Sequence, residues 1–140
     1  MTRVAVAIIT NKKHQVLIAR RPAGKVMEGC WEFPGGKVEL GETPEECLVR
    51  ELKEEMDLTV MAGRFISEIS YDYDWGEVKL LAFETHIVEG EPQLLEHDAM
   101  VWVSLEGMGD YGMTPADEPL IEDLLQWIRE KTSFEGETKG

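Results

Sequence analysis

Cysteine is scarce: Cys30 and Cys47 are the two present in 140 residues. They cannot build a disulfide framework or, alone, a four-ligand zinc site. Basic residues are also few, 14 Lys and Arg against 28 Asp and Glu, for a formal net charge of −14. That excess argues against unassisted binding to a polynucleotide backbone or an anionic membrane surface. Long apolar runs are missing too. The longest, such as Val4 to Ile9 and Met100 to Val103, fall well short of the roughly 20 residues that cross a bilayer. No basic segment followed by an apolar stretch and a small-residue cleavage site opens the sequence, so a secretory signal is not expected. The expectation is a reduced, cytoplasmic protein with no membrane or nucleic-acid polymer as partner. What is present suits a folded chain. Apolar residues make up 43% and charged residues 30%, and the length fits one domain around one core.

The acids are not evenly spread. Eight of them (Glu39, Glu42, Glu45, Glu46, Glu51, Glu54, Glu55 and Asp57) fall in 19 residues, opposed only by Arg50 and Lys53. Around this segment the pattern is mostly extended. Arg3 to Ile9 and Gln15 to Arg20 read as a strand hairpin across a polar turn. Trp31 to Phe33 is a short extended piece before the breaker Pro34-Gly35-Gly36. Phe65 to Tyr73 and Glu77 to Val88 read as two strands joined near Asp74-Trp75-Gly76, and Ala99 to Val103 as another. Pro115 to Lys131 carries Leu120, Ile121, Leu124, Leu125 and Ile128 at helical spacing. A single domain over 1–131 and a polar tail over 132–140 follow. The fold class is α/β (α+β), with two helices around one mostly antiparallel or mixed sheet.

Thr43 to Met56 reads as a helix. Thr43 suits the N-cap, Pro44 the first helical position, and Glu46 completes a capping box. Glu45 and Glu46 then face the positive end of the helix dipole. Glu51, Glu54 and Glu55 have no such reason. They share one face at i, i+3 and i+4, two of them in the last turn against the negative dipole end, beside an apolar stripe of Leu48, Leu52 and Met56. A divalent cation would offset the repulsion, and oxygen ligands suit Mg²⁺, with Mn²⁺ as a substitute. Just upstream, Gly35-Gly36 permits close backbone approach, and Lys37 supplies a point charge for a phosphate.

Gly36, Glu42 and the run Arg50-Glu51-Leu52-Lys53-Glu54-Glu55-Met56-Asp57-Leu58 resemble the Nudix box, G-x5-E-x7-R-E-U-x-E-E-x-G-U with U aliphatic. One position departs: Asp57 stands where the box has its last Gly. Asp tolerates the left-handed conformation that ends such a helix, at a modest cost in stability. Ala19-Arg20-Arg21-Pro22, Trp31 to Lys37 and Thr114 to Pro119 extend the likeness to the MutT-type branch, over roughly Val4 to Trp127. The resemblance implies an α/β/α sandwich with a mixed sheet between helices. It implies Mg²⁺-dependent hydrolysis of a nucleoside triphosphate to the monophosphate and diphosphate. By position, Glu51, Glu54 and Glu55 would be metal ligands with catalytic roles, joined by the Gly35 carbonyl and by Glu96 as ligand or base. Arg21 and Lys37 would contact phosphates, and Arg50 would hold a box carboxylate in place.

Within the same resemblance, Asp117 would meet the base. A carboxylate suits the amino group of cytosine or the N7–H of 8-oxo-guanine, and capping of the C-terminal helix is the competing role. Phe33 and Tyr73 are candidates to stack on the base, with Val4 and Val6 lining the wall. Trp31, Trp75, Trp102 and Trp127 read as packing residues, and His14, His86 and His97 as incidental. Cys30 and Cys47 lack the basic partners of a nucleophile. The opposing functional reading is a catalytically silent Nudix-fold module that binds a nucleotide. A monomer and a homodimer both suit the sequence.

Overall fold

The computed structural model describes the backbone of residues 1–139 and the side chains of residues 1–131. The tail expected from Thr132 falls on residues whose side chains lie outside that set. Among the described residues, seven strands form two sheets. In the first, the order is β4 (Gly35–Lys37), β1 (Thr2–Ile8), β6 (Gly76–Glu89) and β5 (Thr59–Tyr73). It is mixed: β1 runs parallel to β6 and antiparallel to β4. In the second, β2 (Val16–Arg20) lies between β3 (Trp31–Glu32) and β7 (Ala99–Val103), antiparallel to both.

Helix α1 (Pro44–Met56) covers one side and α2 (Leu120–Lys139) the other. The strand pleat sorts the core between them. Ala5, Ala7, Ile9, Leu17 and Ala19 pack with Leu48, Leu52 and Met56 of α1. Val6, Ile8, Val16 and Ile18 pack with Leu120 and Leu124 of α2. The result is the expected α/β/α sandwich, with the sheet split in two. Among the described residues no helix is long and apolar enough to cross a membrane.

The hairpin expected from β1 and β2 is not formed. The turn is there: the Asn11 side chain accepts from Lys13 N and Gln15 N at 3.0 Å each. Beyond it only the Thr10–Val16 bridge and the Leu17 N–H to Ile9 carbonyl bond (3.1 Å) join the two segments. Ala5 to Ile9 are all buried, and a continuous apolar run demands cover on both faces and neighbours on both edges. Strands β6 and β4 supply those neighbours to β1, while β7 and β3 supply them to β2. Strand β5 begins six residues earlier than expected, because bulges around Ala62 to Ser67 break its alternation. Helix α2 begins at Leu120, not Pro115. The intervening turn is held by Asp117 N–H and Glu118 N–H on the Thr114 carbonyl, at 3.0 and 3.1 Å.

Candidate active site

The start of α1 is built as its sequence requires. Thr43 accepts from the Glu46 N–H at 3.1 Å, and the Glu46 carboxylate accepts from the Thr43 N–H at 2.9 Å. At the other end Asp57 sits in the left-handed region (φ 54°) and its N–H reaches the Lys53 carbonyl at 3.1 Å. The departure from the box is therefore accommodated without a change of path. Between these caps Arg50 gathers the acids. Its Nε and Nη2 donate to the two Glu42 oxygens at 2.8 and 3.0 Å. Its Nη1 donates to Glu51 at 2.6 Å, and Nη2 also reaches the Lys37 carbonyl at 3.1 Å. One guanidinium thus fixes the loop, strand β4 and a candidate ligand.

Glu55 is the buried member of the box, 6% exposed. Its Oε2 accepts from the Gly35 N–H at 3.4 Å, which places Gly35 beside it. Its own carbonyl accepts from the Leu95 N–H at 3.2 Å, which ties the segment carrying Glu96 to the end of α1. Gly36 is pressed against Glu51: a Cβ there would lie 2.3 Å from the Glu51 Cδ. Glu54 is more open and stands 3.6 Å from Arg50. Among the described residues no three of these side chains converge at metal-ligand distance in this conformation, since Glu51 is turned to Arg50.

A cleft of about 100 Å³ opens over Glu55, lined also by Arg21, Pro22, Lys25, Glu32, Glu96 and His97. Arg21 and Glu96 are therefore brought to the box as expected. Lys37 is not. It pairs with Val4 across β1 and β4, on the sheet face that Val4 presents to the α2 side, while Gly36 faces α1. Glu32 and His97 are the additions. Arg21 Nη1 donates to both Glu32 oxygens, at 3.1 and 3.3 Å, and His97 Nε2 lies 2.9 Å from Glu32 Oε2. His97 is 7% exposed, so it is a buried, partnered residue and not an incidental one. The available signal was Glu32 itself, an acid set between Trp31 and Phe33.

The expected base side lies against the α2 layer. Asp117 is buried, and its Oδ2 accepts from the Phe33 N–H at 3.1 Å. The helix begins three residues later, so the side chain braces the β3–β4 connection and does not cap α2. The Phe33 ring is 2% exposed among Val6, Met113 and Ala116. Phe33 thus offers its backbone to Asp117, and its ring is core, contrary to the stacking expectation. Tyr73 is flanked by Tyr71 (4.7 Å) and by Trp75, stacked at 5.2 Å and 6°. Its hydroxyl accepts from the Ala116 N–H at 3.1 Å. Tyr73 is therefore a brace between the β5–β6 tip and the Asp117 turn, its ring already occupied. Trp75 packs, as expected, but on the surface: it is 62% exposed and stacks on Tyr73.

The NUDIX domain model matches residues 1–124. The chain belongs to the Nudix family. It is 38% identical over 122 residues to a protein of Escherichia coli K12 named 8-oxo-dGTP diphosphatase, covering 87% of this chain and 95% of that one. It is also 38% identical over 120 residues to the CTP pyrophosphohydrolase of the same organism, covering 86% and 89%. Among solved structures, the MutT protein from Methanosarcina mazei Go1 superposes with a TM-score of 0.80 at 27% identity, covering 93% of this chain and 94% of that one. This Nudix protein is accordingly a hydrolase acting on phosphoric anhydride bonds. Nudix hydrolases generally use a divalent metal, and the donor set here, carboxylates grouped beside the Gly35 backbone, is the all-oxygen kind that hard cations take.

The electrostatics of this Nudix site agree with that fit. Burial pushes the Glu55 carboxyl up to about 9, helped by the negative charges of Glu32, Glu51 and Glu96. Burial also raises Glu51, against the Arg50 hydrogen bond that lowers it. Hydrogen bonding from Arg50 holds Glu42 down at about 2. Burial and then the Glu32 charge push Asp117 up to about 7. Cys47, buried and placed to donate to the Gly36 carbonyl, is pushed up to about 12, so it is no nucleophile.

The raised carboxyls set a pH dependence for the metal-free protein. Both native groups keep protons that the unfolded chain releases from about pH 4 upward. Stability therefore falls as pH rises from about 4, to about 7 for Asp117 and about 9 for Glu55. Asp117→Asn should remove the part of the loss that is complete by neutrality and leave the alkaline part. Thermal denaturation across pH without metal checks this. An unchanged profile in the variant would contradict the assignment.

Proposed function

We propose that this Nudix hydrolase is a Mg²⁺-dependent nucleoside triphosphate pyrophosphohydrolase, converting NTP and water to NMP and diphosphate, on (d)CTP-type or oxidised guanine nucleotides. The observation that carries the reading is Glu55. It is a buried carboxyl among three other acids, and among the described residues no Lys or Arg forms an ion pair with it: Arg21, in the same cleft, is paired to Glu32. A cluster so assembled is costly unless a cation joins it. Glu51, Glu54 and Glu55, with the Gly35 carbonyl and Glu96, would hold Mg²⁺. When bound, Mg²⁺ neutralises phosphate oxygens and makes its water a better nucleophile. The chain's own residues do the rest. Arg50 fixes the Glu51 rotamer, Arg21 meets the phosphates in the cleft, and Glu96, which lines the same cleft, serves as a ligand or takes the proton of the attacking water. Lys37, on the other sheet face, is left with the nucleotide side at most.

Asp117 governs the base in this reading. With its carboxyl near 7, it presents an acceptor when ionised and an O–H donor when protonated. Cytosine and 8-oxo-guanine both fit, and the two relatives carrying those substrates in their names are equally similar to this chain. A panel of the common NTPs and dNTPs with 8-oxo-dGTP and 5-methyl-dCTP, ranked by kcat/KM with Mg²⁺, separates them. The expected result is diphosphate release with one of the two classes preferred. Preference for an unoxidised purine would overturn the role of Asp117. No release from any nucleotide would favour the silent binding module. The setting we assign is the cytoplasm, where such nucleotides occur.

A further inference from the structure

We propose that His97 is a positioning residue of this hydrolase, acting through Glu32 to hold Arg21 against the phosphates. The proposal rests on the pyrophosphohydrolase reading above and adds to it a residue outside the Nudix box. Glu32 is the centre of a three-residue chain. It accepts from Arg21 Nη1 with both oxygens, and Oε2 also meets His97 Nε2 at 2.9 Å. A carboxylate only accepts, so the His97 nitrogen facing it is the donor. The side chain of His97 is 5% exposed. Its other ring nitrogen, Nδ1, is buried and has no hydrogen-bond partner among the described residues. Leaving a buried polar atom unpaired costs about 1–3 kcal/mol, so packing alone would not favour an imidazole here. The bond to Glu32 is what the ring supplies.

The geometry explains why Glu32 needs a second donor. Arg21 is held on one side by Glu32 and on another by the Val26 carbonyl, which accepts from Nε at 2.5 Å. This leaves Nη2 as the edge without a partner among the described residues, directed by two fixed contacts. Glu32 faces opposing pulls. It is drawn to Arg21 but lies close enough to Glu55 and Asp117 for its charge to raise both. Without His97 the carboxylate would swing away from those acids and take Arg21 with it. The segment carrying His97 is itself anchored. Asp98 N–H reaches the Arg20 carbonyl at 3.2 Å, and the Asp98 carboxylate pairs with the Arg20 side chain at 2.7 Å. The brace therefore runs from β2 through the 95–98 segment to Glu32 and back to Arg21 at the end of β2.

Binding of a non-hydrolysable triphosphate analogue with Mg²⁺, measured by calorimetry, tests the proposal without relying on turnover. His97→Ala should weaken binding about tenfold, the equivalent of one charge-assisted contact. His97→Gln, whose amide can donate to Glu32, should stay within about threefold of wild type. In an Arg21→Ala background, removing His97 should cost less than about twofold, because the two act as one unit. In steady-state assays the Ala variant should raise KM and leave kcat nearly unchanged. Equal losses in Ala and Gln, an additive double variant, or no loss in Ala would each overturn the positioning role. Wild-type analogue binding without turnover of any nucleotide would instead sink the pyrophosphohydrolase reading, and the binding comparison would still decide His97.

Discussion

Glu55→Gln is expected to lower kcat by roughly 10²–10³-fold, the range for losing one preorganised electrostatic contact in a closed site, while the fold stays intact. The two halves of that expectation have separate causes. The amide is isosteric and keeps an oxygen to accept from Gly35 N–H, so the backbone junction between β4 and α1 is preserved. In the metal-free protein the native carboxyl titrates at about 9. Below about pH 4 the carboxyl is neutral in both the folded and the unfolded chain, and the variant should melt with the wild type there. As pH rises from about 4 to about 9 the unfolded wild type releases this proton while the folded one keeps it, so the wild type loses stability that the Gln variant, with nothing to titrate, does not. The variant should therefore already be the more stable of the two at pH 7, and the gap should stop growing above about pH 9. Metal binding reverses the sign. Binding Mg²⁺ to the wild type at neutral pH must expel the Glu55 proton. Titration calorimetry in two buffers of different ionisation enthalpy should detect that proton, and the Gln variant should release fewer protons. A kcat near wild type, or equal proton release by both proteins, would remove Glu55 from the metal site.

Much of this site is legible in the amino-acid sequence. The capping box and the shared face of Glu51, Glu54 and Glu55 follow from spacing along one helix, while the left-handed Asp57 and the pairing of Arg50 with a box carboxylate are implied by the resemblance to the Nudix box. Local rules decide such features, and they appear in the structure as expected. The misreadings concern partners distant in sequence. Pairing of β1 with β2 was the economical reading of two strands and a turn. The apolar run of β1 was instead satisfied by β6, more than 70 residues away. The resemblance makes Phe33 a candidate to stack on the base, but the strand pleat turns it into the α2-side core while Glu32 faces the cleft. His97 carries no ligand spacing, since its partner Glu32 lies 65 residues away. Only the fold brings that pair together.

Gly36→Ala and Gly35→Ala should fail in opposite ways. At Gly35 φ is +148° and a Cβ would fall 2.0 Å from the Ala5 carbonyl oxygen and 3.0 Å from the Val6 Cα. Both obstacles are backbone of β1, a strand paired on each edge and buried on both faces. Neither can yield, so Gly35→Ala should cost at least about 4 kcal/mol and leave little folded protein. At Gly36 the backbone has an ordinary φ, and the obstacle is the Glu51 carboxylate, with Cδ at 2.3 Å and both oxygens within 2.7 Å. That is the far end of a flexible side chain, free to rotate at modest cost. Gly36→Ala should therefore fold, losing about 1 kcal/mol or less. The displaced carboxylate must leave its 2.6 Å bond to Arg50, and a candidate ligand then lacks the contact that orients it. Losses of this kind typically run to about 10–100-fold in metal affinity or activity. Mg²⁺ titration and kcat/KM on the folded variant should both fall in that range. Unchanged values would mean that the position of Glu51 beside Gly36 has no part in the chemistry. The Gly-Gly pair would then serve only the path of the chain, a role that Gly35 alone already fills.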